Sequence, residues 1–186
     1  GAASLDNSAS LALGNNLVLT ADLSLAGNNN LQLDGVISGS GGLIKNGLAD
    51  LTLTGTNTFT GAVNVLGGSL TTLSGAALGT ASAVNVGAGA SLNLGVSSSL
   101  ATLTGSGAVN LGTGSNLSVG TGGASSVFNG GLGGAGGLIK VGSGSLELAA
   151  SAATPPQGGA RFELLLPAAH GPAPAVPNAP QEPLTP

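Results

Sequence analysis

The chain has very few of the residues that redox, metal and phosphate chemistry depend on. Its 186 residues include no cysteine, methionine, tryptophan or tyrosine, and only 5% are charged. Without cysteine it has no disulfides and no thiolate metal sites. Three basic residues against seven acidic ones leave no basic stripe to hold a phosphate backbone. We therefore predict no nucleic-acid partner.

Groups for catalysis are equally sparse. Lys45 and Lys140 are the only basic residues before position 150, and the one histidine, His170, lies among prolines. Glycosidases need paired carboxylates, and lyases need calcium or a basic residue on the same face. Asp34 and Asp50 are single carboxylates, for which we predict solvated turns. We predict that the chain is not an enzyme and has no metal, cofactor or small-molecule substrate.

The segment GLGGAG, residues 131–136, has the spacing of a dinucleotide-binding loop. Such a loop works only when a helix follows it, because the helix N-terminus receives the pyrophosphate. Here a strand pattern follows, GLIKVGSGSLEL. We predict a corner loop at these glycines.

The chain is rich in glycine and in short apolar motifs. It contains 35 glycines, 41% hydrophobic residues and a mean hydropathy of +0.44, which is too apolar for a disordered chain. No apolar run approaches the roughly 18 residues of a membrane-spanning helix. The apolar residues instead form triplets with a polar centre, such as LQL, LTL, VNV and LEL. This alternation is typical of a strand with one buried face.

Strands of three residues are too short for a stable hairpin or sandwich, so we predict that they stack. In such a chain each turn has about three short strands and about 20–25 residues. Each strand then lies parallel to the equivalent strand of the next turn, and the two strands are roughly 4.8 Å apart. Glycine, serine and asparagine between the triplets would form the corners, with positive φ at glycine. The predicted fold is an all-β, single-stranded parallel β-helix, with helices absent before residue 150.

Two internal repeats support a solenoid. VNVGAGASLNLG from Val84 aligns without a gap to VNLGTGSNLSVG from Val109, a shift of 109 − 84 = 25. This alignment predicts that Val84 and Val109 stack on each other. It also predicts an outward column formed by the central residues of the triplets, Asn64, Asn85 and Asn110.

The second repeat is the phrase GGLIK, which occurs at 41–45 and again at 136–140. Its two lysines, Lys45 and Lys140, have two interpretations. They could mark a binding role, or they could prevent a strand edge from pairing with another chain. We favour the second, structural interpretation.

Residues 39–70 resemble the passenger-associated transport repeat of bacterial autotransporters. The resemblance rests on five elements in order: a Gly-Gly-Leu-x-Lys start, a glycine, a Leu-Thr-Leu strand, a Gly-x-Asn-Thr-Phe-Thr-Gly turn and a Val-Asn end. The residues that carry it are Gly41, Gly42, Leu43, Lys45, Gly47, Leu51, Leu53, Asn57, Phe59, Gly61 and Asn64. A second, partial copy consists of Gly136, Gly137, Leu138, Lys140, Leu146 and Leu148.

The resemblance implies a right-handed parallel β-helix that is extracellular or displayed on the bacterial surface. Its implied partner is the C-terminal outer-membrane β-barrel of the parent protein. Residues 1–150 are then a passenger segment, and residues 151–186, which hold most of the prolines, are a mostly disordered tail. The predicted function is a structural stalk that promotes its own export by folding turn by turn. The alternative is an adhesin module that binds host or sister-cell surfaces.

Overall fold

Short strands with one apolar face wind into a solenoid of about 7 turns. The computed structural model describes residues 3–79 and 83–149, so the predicted tail at 151–186 and His170 lie outside the described residues. All described elements are strands, and every pairing between them is parallel. The predicted all-β parallel β-helix, with about three strands per turn, is therefore confirmed.

The strands occupy three sides of the solenoid. Side 1 stacks β1, β4, β7, β9, β11, β14, β17 and β20, and side 2 stacks β2, β5, β8, β10, β12, β15 and β18. Side 3 contains β3 with β6, and further along β13, β16 and β19. In chain order the bounds are β1 Ala3–Leu5, β2 Leu11–Leu13, β3 Leu17–Leu19, β4 Leu23–Leu25, β5 Leu31–Leu33, β6 Ile37–Gly39, β7 Leu43–Lys45, β8 Asp50–Leu53, β9 Val63–Val65, β10 Ser69–Thr72, β11 Ala83–Val86, β12 Ser91–Leu94, β13 Ser98–Leu100, β14 Thr102–Gly105, β15 Ala108–Leu111, β16 Asn116–Val119, β17 Ser126–Phe128, β18 Gly131–Gly134, β19 Gly137–Lys140 and β20 Leu146–Leu148.

Inward side chains form columns, because the outer residues of each triplet face the axis and stack at the strand spacing. On side 2 one column runs through Leu33, Leu53, Thr72, Leu94 and Leu111, each at most 2% exposed. Burying one leucine in this way contributes about 1.5–3 kcal/mol. Thr72 interrupts the column, and its hydroxyl has no hydrogen-bond partner among the described residues.

The predicted stacking of Val84 on Val109 is wrong. Val84 lies on side 1, where its partners are Val63 and Leu103, whereas Val109 lies on side 2 next to Leu92. The reason is the length of a turn. Paired residues lie 17 positions apart at the closest (109 − 92) and 23 at the furthest (128 − 105). A shift of 25 exceeds every turn and carries the chain to the next side.

The predicted asparagine column is correct only in part. Asn64 and Asn85 are direct partners on side 1, but Asn110 belongs to side 2. There it pairs with Asn93, and its Nδ2 donates to the Asn93 Oδ1 at 2.8 Å. Stacked asparagine pairs therefore occur on two sides instead of one.

Glycines form the tightest corners, as predicted. All described residues with positive φ are glycines, and Gly105, with φ at 108°, is an example. A Cβ on Gly105 would also overlap the carbonyl oxygen of Val86 in the preceding turn. The predicted corner loop at residues 131–136 is only partly correct, because residues 131–134 form strand β18.

Side 3 has a gap in the middle of the solenoid. No strand is present on this side in the described residues between β6 and β13, where residues 54–62 cross it in an irregular conformation. The core of this gap is filled by Phe59, which is fully buried. The described residues contain no helix with the length and apolar character needed to cross a bilayer.

Candidate functional site

The first copy of the repeat signature forms one complete turn of the solenoid. Its apolar residues all point inward: Leu43, Leu51, Leu53 and Phe59 are 0–1% exposed. Its glycines lie at the corners, where Gly47 and Gly61 leave no room for a Cβ against the backbone of the preceding turn. Sequence reasoning identified these positions because glycine and alternating leucine both leave strong sequence patterns.

Lys45 lies inside the solenoid instead of at a sheet edge. It is 4% exposed, and its column neighbours are Leu25 and Val65. Its Nζ donates to the carbonyl oxygen of Gly47 and, at 3.2 Å, to that of Gly67 in the next turn. Its strand β7 pairs on both edges, with β4 and β9. The edge-protecting role predicted for this lysine is therefore wrong, and its ammonium instead satisfies two corner carbonyls.

Burial lowers the pKa of Lys45 from its ordinary value of 10.5, and the negative charge of Asp50 opposes part of this shift. The unfolded chain therefore binds a proton at Lys45 in a pH window where the folded chain does not. In that window, which ends near 10.5, the contribution of Lys45 to the free energy of unfolding rises with pH. The described residues contain no tyrosine, cysteine or histidine to obscure this behaviour.

We expect Lys45→Met to lower the free energy of unfolding by about 1–3 kcal/mol at neutral pH, because Gly47 and Gly67 lose their donor. The same substitution should remove the alkaline rise in stability. Urea unfolding between neutral pH and pH 10.5 measures both effects. Lys140→Met is the matched control, since that lysine is only half-buried. An alkaline rise that persists in Lys45→Met would contradict the assignment.

The second copy of the phrase repeats the local chemistry on a different side. Residues 43–45 form β7 on side 1, but residues 137–140 form β19 on side 3. Lys140 nevertheless donates to the carbonyls of Val141 and, at 3.1 Å, Gly142, which corresponds to the Lys45 contact with Gly47. Both lysines therefore donate to the carbonyl two residues further on. The GGLIK sequence therefore predicts a corner at which a lysine donates to backbone carbonyls. It does not predict the side of the solenoid on which that corner lies.

Asn57 joins three successive turns across the gap on side 3. It is 1% exposed, its Oδ1 accepts from the backbone N–H of Ile37 at 2.8 Å, and its Nδ2 donates to the carbonyl of Ala77 at 2.6 Å. The three residues are spaced by 57 − 37 = 20 and 77 − 57 = 20. The amide thus adds to the backbone hydrogen bonds that cross the gap, such as that from the Phe59 N–H to the Ile37 carbonyl at 3.2 Å. This role is one that the repeat signature alone does not reveal.

Polar corner side chains provide further bonds that sequence reasoning missed. The N–H of Gly42 donates to Asp22 Oδ1 at 2.7 Å, and that of Val36 donates to Asn16 Oδ1 at 2.9 Å. Each bond links a corner to the corner about 20 residues later. Asparagine and aspartate at a spacing of one turn are the signal that would have revealed them.

The outer face of side 2 carries polar side chains on five consecutive strands. Asp34 and Asp50, predicted as solvated turns, both flank or begin strands on this face. Asp34 Oδ1 accepts from the Thr54 hydroxyl at 2.5 Å and from Gln32 Nε2 at 2.8 Å. These hydrogen bonds lower the pKa of Asp34, and the bond from Thr54 has the larger effect. The Asp34 carboxylate therefore stays charged in mild acid.

No arrangement of acids that could hold a metal ion occurs in residues 3–79 and 83–149, where no three His, Cys, Asp or Glu side chains cluster. No family model, curated protein or solved structure matches the chain.

Proposed function

We propose that this chain is a structural segment of a bacterial autotransporter passenger, a secreted or surface-exposed β-solenoid stalk that promotes its own export by folding turn by turn. Its partner in export is a C-terminal outer-membrane barrel of the parent protein. The stalk itself performs no catalysis and needs no cofactor.

The observation that carries the proposal is that every strand pairs only with the strands of adjacent turns. On side 2, for example, β8 pairs with β5 before it and β10 after it. A solenoid of this kind adds stability with each new turn, because a turn needs only its neighbour as a template. Folding on the outer side of a membrane can therefore proceed while the rest of the chain is still being delivered.

The contacts of the signature turn favour the same mechanism. Lys45 and Asn57 each bond to backbone atoms of the following turn, at Gly67 and Ala77. Both acceptors lie about 20 residues further along the chain, so a newly delivered turn meets bonding partners in the turn that is already folded. The absence of cysteine from the sequence and its low charge also suit passage through a narrow pore.

A pair of substitutions in one strand tests the proposal. In β13, Leu100 is 0% exposed while its neighbour Ser99 faces solvent. Leu100→Asp places a charge in the core and should unfold the surrounding turns, whereas Ser99→Asp adds the same charge without touching the core. The chain would be fused to an autotransporter barrel, and surface display would be measured by its access to external protease.

We expect Leu100→Asp to lose most of the surface-displayed material and Ser99→Asp to retain it. Equal display of both variants, with the purified Leu100→Asp protein shown to be unfolded by circular dichroism, would refute export driven by folding. Equal loss in both variants would show that added charge in the pore is responsible, and would refute it as well.

A further inference from the structure

The outer face of side 2 presents a straight row of hydrogen-bonding side chains along the solenoid axis. The row contains one outward residue from each of five consecutive strands, in direct register. Its members, here called the polar row, are Gln32, Thr52, Thr71, Asn93 and Asn110. All five are exposed or half-buried. The parallel sheet that carries them sets their spacing at about 4.8 Å.

Neighbouring contacts hold several of these side chains in place. Asn110 Nδ2 donates to Asn93 Oδ1 at 2.8 Å, and Asn93 Nδ2 reaches Thr71 Oγ1 at 3.4 Å. Gln32, which is exposed, donates from its Nε2 to Asp34 Oδ1 at 2.8 Å. Side chains that are already ordered lose little entropy when a ligand binds, which favours recognition by hydrogen bonds alone.

A shallow depression lies at one end of the polar row. Its volume is about 410 Å³, and its polar lining consists of Ser10, Asn30, Gln32, Asp50 and Thr52. Leu11, which is 48% exposed, adds apolar surface on its floor. Hydroxyl, amide and carboxylate groups beside a small apolar patch match the alternating hydroxyl and C–H surface of a sugar.

The charges around the row select among ligands. The nearby charged groups are Asp34 and Asp50, while Lys45 points into the core and Lys140 is on side 3. No cation of the described residues therefore faces this surface, which disfavours phosphate, sulfate and uronic acids. A protein partner is also disfavoured, because protein interfaces have an apolar, aromatic-rich centre and this row is polar throughout.

We propose that the polar row is a binding site for a neutral, extended oligosaccharide lying along the solenoid axis. Two strand spacings, roughly 10 Å, are close to the repeat of a disaccharide in an extended β-1,4-linked chain. Five strands span about 19 Å, so about four sugar units fill the row. This function develops the adhesin alternative and does not rest on export by folding.

Affinity for a single site is expected to be modest. Phe59 and Phe128, the aromatic residues in the described part of the chain, are both buried, so the row has no ring on which a sugar can stack. Strong attachment to a surface would come from many copies on one cell, through multivalency.

Isothermal titration of the purified 186-residue chain with neutral β-1,4-linked oligomers of glucose, mannose and N-acetylglucosamine tests the proposal. For at least one series, we expect affinity to rise about tenfold from disaccharide to tetrasaccharide, which is about 1.4 kcal/mol, and to level off beyond that length. A hexamer of galacturonic acid, which is fully acidic, should bind at least about tenfold more weakly.

Two double variants separate the polar row from the rest of the surface. Gln32→Ala with Asn93→Ala removes two members of the row and should weaken binding about tenfold, which is about 1.4 kcal/mol, because two hydrogen-bonding groups are lost. Asn64→Ala with Asn85→Ala removes the equivalent amides on side 1 and should leave affinity unchanged. Thermal melting confirms that both variants are folded.

Three results would overturn the proposal. The first is the absence of binding to every neutral series. The second is binding of the acidic hexamer as tight as that of the best neutral one. The third is an equal loss of affinity in the two double variants, because it would place the ligand elsewhere on the solenoid.

Discussion

Replacing Phe59 with alanine is expected to lower the free energy of unfolding by about 3–5 kcal/mol, the range for deleting a buried aromatic ring. Phe59 is fully buried at the point where side 3 has no strand in the described residues. Its ring packs against Gly79, where an added Cβ would approach the ring to 3.2 Å. Backbone hydrogen bonds from Thr58 and Phe59 to the Ile37 carbonyl tie this segment to the preceding turn, which limits its collapse into the space left by the ring.

Urea unfolding monitored by circular dichroism measures this loss. Thr58→Ala is the matched control, because Thr58 is the preceding residue and its side chain is exposed. It should change stability by no more than about 0.5 kcal/mol, as surface substitutions usually do. Phe59→Leu should restore part of the loss, since it refills most of the volume.

A small effect of Phe59→Ala, similar to that of Thr58→Ala, would contradict the packing of the gap. It would mean that the turns on either side collapse onto the alanine at little cost. Hydrogen exchange distinguishes the expected result from general unfolding, because faster exchange should begin in the turns that contain Ile37, Phe59 and Ala77.

The architecture of this chain could be predicted because it depends on a pattern of period two. In triplets such as Leu31–Leu33 and Val63–Val65 the outer residues are buried and the central one is less so, as alternation requires. The glycines also carried information, because positive φ and close approach of successive turns leave few other residues possible.

The register of the turns could not be predicted in the same way. The aligned phrases at Val84 and Val109 are similar because each is a strand followed by a corner, and such a unit fits any side. Corner length decides which side a strand reaches. Glycine and serine corners vary by several residues without a sequence signal, so the distance between partners ranges from 17 to 23.

Buried polar residues were the other part that the sequence did not reveal. Lysine and asparagine are normally exposed, and a single chain gives no sign that their polar atoms have found backbone partners inside. Lys45 and Asn57 are 4% and 1% exposed, and each satisfies main-chain groups that the corners leave without a strand partner. Their place in the repeat signature predicted importance but not this mechanism.

The largest expected polar effect comes from Asn57→Ala. The substitution leaves the N–H of Ile37 and the carbonyl of Ala77 without the amide that now bonds to both. A buried group that loses its partner costs about 1–3 kcal/mol, so two such groups should destabilise the protein by about 2–6 kcal/mol. Asn57→Leu, whose side chain branches at the same carbon but cannot form hydrogen bonds, should be at least as harmful, because both backbone groups again lose their partner.

Asn110→Ala provides the control, since Asn110 is exposed and its Nδ2 donates to the Asn93 side chain and not to the backbone. We expect a loss of no more than about 0.5 kcal/mol there. The decisive measurement is amide exchange at Ile37, which should accelerate in Asn57→Ala far more than exchange in β13 and β16. Unchanged protection of Ile37 would show that its N–H has another acceptor and that Asn57 does not hold the three turns together.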